Sequence, residues 1–107
     1  MKYSLALKNI EIEAKEMDVI DEKLDRLKKI LKPPFVCDMV IERDKHHRSG
    51  DVVKCRLSLE QEGKVWHSER VANTVTSSVD KVVEVLRKDL RRNADKKLSA
   101  RRKETRR

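Results

Sequence analysis

The sequence predicts an α+β fold of order β-α-β-β-β-α, with two helices packed on one face of a four-stranded sheet. Three observations predict it. Four segments alternate apolar and polar residues with period two, two others repeat apolar residues at steps of three and four, and 107 residues at 37% hydrophobic content suffice for a single two-layer core.

Residues 2–8, KYSLALK, put Tyr3, Leu5 and Leu7 on one side, as a strand does. A helix follows from about Glu13 to Leu31, where Met17, Ile20, Leu24, Leu27 and Leu31 form one apolar stripe. Acids crowd its first half and Lys28, Lys29 and Lys32 its last turn, an arrangement that suits the helix dipole. Pro33-Pro34 stops it, because proline offers no amide hydrogen and restricts the residue before it. In FVCDMVIER, Phe35, Cys37, Met39 and Ile41 share a face; in DVVKCRLSL, Val53, Cys55, Leu57 and Leu59 do the same. DKHHRSG between them reads as a polar turn. After a turn at Gln61-Glu62-Gly63, KVWHSERVA puts Val65 and Val71 on one side and Trp66 on the other, outward side, where it either stacks on a base or covers the open sheet. The final helix begins near Thr74, an N-cap, and buries Val79, Val82, Val83, Leu86 and Leu90. One domain over 1–97 is expected, then a basic tail over 98–107, SARRKETRR with its preceding Leu98, as a frayed helix end or disorder.

No apolar run approaches the ~20 residues of a membrane span, and the N-terminus lacks the apolar stretch of a signal peptide, so a cytoplasmic protein is expected. Cys37 and Cys55 lie in apolar strand patterns and read as free, buried thiols. His46, His47 and His67 lack the spacing of a zinc site with those cysteines. There is no nucleophile with a positioned base, no glycine-rich phosphate loop and no recognisable carboxylate pair, so neither enzyme activity nor a cofactor, metal or small-molecule substrate is expected.

Charge carries the functional signal. Of a net +8, seven charges fall between residues 74 and 107, where twelve basic residues face five acidic ones; residues 13–32 and 33–73 each cancel. Charge gathered on one element suits a phosphate-binding surface, although basic helices are often only solvated. At 3.6 residues per turn, Lys81, Lys88, Arg92 and Lys96 fall in one column opposite the Val79, Val83, Leu86 and Leu90 stripe, with Arg91 flanking it and Asp80, Glu84 and Asp95 to one side. Arg87, Lys88, Arg91 and Arg92 are held by a helix whose other face is buried, so their geometry is fixed; Lys97 is a further RNA-binding candidate. Arg101 and Arg102 begin a tail that supplies non-specific attraction. With three aromatic residues in the chain, recognition by shape and phosphate, as in double-stranded RNA-binding domains, is expected over base reading.

The order of segments resembles the ribosome hibernation promoting factor family, also known as ribosome-associated translation inhibitors and as sigma-54 modulation proteins. The resemblance rests on Asn9-Ile10-Glu11-Ile12 before the first helix, on Ile20, Lys23, Leu24, Arg26 and Leu27 within it, and on Ser78-Val79-Asp80 followed by Leu86, Lys88 and Leu90 in the second. The chain departs from the family pattern at Lys8, Glu13, Thr74-Val75-Thr76 and Asp89. The resemblance implies a protein that binds the rRNA phosphates of the small ribosomal subunit in the decoding channel, between head and body. It would thereby inhibit translation and promote ribosome hibernation under stress or in stationary phase. Long members of the family carry a second domain that pairs ribosomes, so the chain reads equally as a short form or as the N-terminal part of a long one. The other function class open to the residues is a general double-stranded RNA- or DNA-binding regulatory module.

Overall fold

The computed structural model describes residues 3–31, 33–48 and 50–105, and side chains for all of these except 46, 47 and 94–105. The elements are β1 (Ser4–Lys8), α1 (Ala14–Lys28), β2 (Phe35–His47), β3 (Gly50–Gln61), β4 (Lys64–Ala72) and α2 (Val75–Thr105), which is the predicted order. The strands lie β1-β2-β3-β4 in one sheet. β1 runs parallel to β2, with Leu5 opposite Met39, and α1 is the crossover that a parallel pair requires. The other pairings are antiparallel, with Met39 opposite Leu57 and Leu57 opposite Ser68.

The core forms where the apolar stripes of both helices meet the inner face of the sheet. Ile20, Leu24 and Leu27 of α1, Met39, Ile41, Leu57 and Leu59 of the central strands, and Val79, Val82 and Leu86 of α2 are all buried. The side chain of Glu16 accepts a hydrogen bond from the backbone N–H of Glu13 at 3.0 Å, closing one free end of α1. α1 ends at Lys28, one turn before the predicted limit. The following residues tighten into bonds from Ile30 N–H to Leu27 O (3.0 Å) and Leu31 N–H to Lys28 O (3.3 Å), and Leu31 still reaches the core. At the start of α2, Thr74 Oγ1 accepts from Ser77 N–H at 3.2 Å, as its capping role requires. Ser78 is fully buried there and satisfies its hydroxyl on Val75 O at 2.8 Å.

The β3–β4 connection is the two-residue turn Glu62-Gly63, with φ of 54° and 77°. That pair of left-handed residues matches the twist of a hairpin, and glycine takes the second position without a Cβ penalty.

Two expectations change. DKHHRSG is not all turn, because β2 and β3 keep pairing through Asp44 opposite Val52 to His47 opposite Gly50, with one register irregularity. Backbone pairing continues there without an apolar face, so the segment reads as a turn in the sequence. Trp66 faces the helices rather than outward: it sits opposite Leu59, and directly paired residues share a face, so it packs against the core while Val65 is exposed. The backbone of α2 is helical from Val75 to Thr105.

Cys37 and Cys55 are free and buried; desolvation pushes their thiols up to about 11 and about 12. No helix among the described residues is long and apolar enough to cross a membrane.

Candidate nucleic-acid interface

α2 holds its cations in place because its other side is anchored. Val79, Val82, Val83 and Leu86 lie against the sheet and α1, Lys23 of α1 meets Asp80 at 2.8 Å, and Lys64 Nζ at the start of β4 donates to Asn93 Oδ1 at 3.2 Å. These contacts fix the rotation of the helix about its own axis. They leave Lys81, Lys88, Arg91 and Arg92 exposed, as the spacing predicts. At ~1.5 Å rise per residue, Lys81 and Lys88 start about 10 Å apart along the axis and Lys88 and Arg92 about 6 Å.

Two of the acids on α2 are already taken up by other partners. Asp80 is engaged with Lys23, and Glu84 with Arg87 at 3.3 Å. Among the described residues, no ion pair involves Lys81, Lys88, Arg91 or Arg92. Arg87 differs from them. It is half-buried, is held by Glu84 and has a buried Nε without a hydrogen-bond partner, so it is less available than its neighbours. The side chains of Lys96, Lys97, Arg101 and Arg102 lie outside the described residues; the backbone of α2 passes through all four positions.

The uncovered face of the sheet has a different character. Lys8, Lys54 and Arg56 interleave there with Glu42 and Glu69, and Lys54 pairs with Glu69 at 3.4 Å. Cations and acids alternate on this face, whereas Lys81, Lys88, Arg91 and Arg92 gather on the exposed side of α2.

The fold adds cations that the sequence reading did not single out. α1 and α2 both run antiparallel to β2 and β4, so their C-terminal ends share one end of the sheet. Exposed Lys28 and Lys29 thus lie at the end where Lys64 bonds Asn93 next to Arg91 and Arg92. In the sequence the two lysines are masked by an equal number of acids within 13–32 and read as partners of the helix dipole. Among the described residues no three His, Cys, Asp or Glu side chains are grouped to hold a metal ion.

Solved structures with this fold include the N-terminal domain of Thermus thermophilus Protein Y. It has a TM-score of 0.71 and 18% identity, over 86% of this chain and 98% of that one. A ribosomal subunit interface protein from Coxiella burnetii has a TM-score of 0.71 and 12% identity, over 89% of this chain and 99% of that one. At these identities the likeness establishes the fold alone. A comparison with curated proteins finds no match. Residues 3–98 match the family model described as sigma 54 modulation protein / S30EA ribosomal protein, and the chain belongs to that family of ribosome-associated proteins.

Proposed function

We propose that the protein is a non-enzymatic translation inhibitor of the cytoplasm. It binds small-subunit ribosomal RNA in the decoding channel through the outward face of α2, and so holds ribosomes in hibernation under stress or in stationary phase. The observation that carries this reading is the line of Lys81, Lys88, Arg91 and Arg92, fixed by a buried helix face and free of ion pairs among the described residues. Such a line matches an RNA backbone in charge and order without reading bases. Lys96 and Lys97 extend it by helical spacing, and Lys28, Lys29 and Lys64 broaden its C-terminal end.

Occlusion has a direct test. Pure protein inhibits cell-free translation, and preloading the ribosomes with messenger and transfer RNA relieves that inhibition at limiting protein. Equal inhibition of preloaded and empty ribosomes rules the channel out.

The last residues contribute differently. Arg101, Arg102, Lys103, Arg106 and Arg107 follow Leu90, the last core residue among the described side chains, and supply long-range attraction that salt screens within ~8 Å at physiological ionic strength. Deleting 99–107 therefore leaves the melting temperature nearly unchanged and weakens subunit binding more at low salt than at high salt. Preference for the small subunit over other RNA persists in the truncated protein. A truncated protein that loses this preference would place the tail inside the specific site.

A further inference from the structure

The pairing of β2 with β3 outruns the rest of the sheet. β1 stops at Lys8 opposite Glu42 and β4 at Ala72 opposite Val53, so from Asp44 to Val52 the two central strands pair only with each other. At ~3.3 Å per residue this two-stranded arm projects roughly 13 Å past Arg43. A hairpin without a third strand or a packed face is marginal in water, and among the arm's described side chains only Val52 at its root is buried. Arg43 and Asp51 clip that root at 3.7 Å. Beyond it, Lys45 and Arg48 are exposed and take part in no ion pair among the described residues.

The arm starts where the basic line on α2 starts. A shallow depression is lined by Val52 at the arm's root, Val71 and Asn73 at the end of β4, and Ser77 and Lys81 on the first turns of α2. A strand of RNA lying along Arg92, Lys88 and Lys81 runs over this depression and on toward Lys45 and Arg48.

We propose that the β2–β3 arm is a second RNA-contacting element, which grips the backbone of the same RNA that α2 binds; this rests on the RNA-binding reading of α2. A two-stranded ribbon is narrow and projects beyond the domain, so two exposed cations near its tip, Lys45 and Arg48, reach backbone phosphates that the flat helix layer does not.

Two measurements on purified small ribosomal subunits test this. In the first, binding of Lys45→Gln/Arg48→Gln is titrated against salt. The slope of log K against log salt drops by roughly one unit per lost contact, two in all, with the melting temperature unchanged. In the second, Arg48→Cys carries a tethered iron chelate. Cys37 and Cys55 are buried with raised pKa values and stay unlabelled. Radicals generated at the arm cut subunit RNA within a few adjacent nucleotides. An unchanged slope overturns the proposal, and so does a reduced slope without RNA cuts, which marks a long-range charge effect or a protein neighbour. If the unaltered protein does not bind subunits at all, the RNA reading of α2 fails first and the arm with it.

Discussion

Reversing Lys81, Lys88, Arg92 and Lys96 to Glu abolishes useful binding to the small subunit. Each phosphate contact adds close to one unit to the slope of log K against log salt, so losing four removes about four units. Between ~1 M salt, where this contribution vanishes, and ~0.1 M, the difference amounts to roughly three to four orders of magnitude in affinity. Lys81, Lys88 and Arg92 are exposed and make no ion pair among the described residues, so their reversal breaks no contact that holds the fold. New like-charge repulsion at i,i+3 and i,i+4, against Glu84 and Asp89 and among the glutamates introduced at positions 88, 92 and 96, costs the helix ~0.2–0.5 kcal/mol per pair. The variant therefore stays folded with a moderately lowered melting temperature while its subunit affinity collapses. Subunit binding that survives the four-fold reversal would sink the assignment of this face.

How much of this was legible in the sequence depends on how local the cause is. The stripes of Ile20, Leu24 and Leu27 and of Val79, Val83 and Leu86 show in the sequence because residues three and four apart lie on one face of any helix, whatever packs on it. The exposed positions of Lys81, Lys88 and Arg92 follow from the same geometry. Trp66 was misplaced because β4 carries apolar residues at both parities, Val65 and Val71 on one and Trp66 on the other. The tie is broken by pairing with Leu59, which local pattern does not encode. Similarly, DKHHRSG carries turn-like composition on both faces of a ribbon whose partner strand is only a few residues away. Lys28, Lys29 and Lys64 escaped notice for a third reason. Counting charge along the chain averages over neighbours in sequence, whereas a binding surface adds charge over neighbours in space. Lys64 and Asn93, 29 residues apart, meet only once α2 has folded back along β4.

Leu86→Ala provides the complementary result. Leu86 is fully buried on α2 within the core that the helices and the sheet share. Truncating a leucine so enclosed removes its transfer free energy and leaves a cavity, at a cost of ~2–5 kcal/mol. A domain of this size holds ~5–15 kcal/mol in total, and each kilocalorie shifts its melting temperature by roughly 4–8 °C. A drop of roughly 8–40 °C is therefore expected, measured by calorimetry or by loss of circular dichroism. Leu7→Ala serves as its control: Leu7 is 43% exposed at the edge of the sheet, and its truncation costs well under half as much. The effect on binding separates scaffold from site. Well below the lowered melting temperature, Leu86→Ala still presents Lys81, Lys88, Arg91 and Arg92 on an intact helix, so subunit affinity and its salt slope stay near the parent values. The charge-reversed protein shows the opposite pattern, folded but unable to bind. A Leu86→Ala protein that is folded yet loses its salt slope would mean that the helix rotates when this contact is lost, and that the register of the cations along α2 depends on that single leucine.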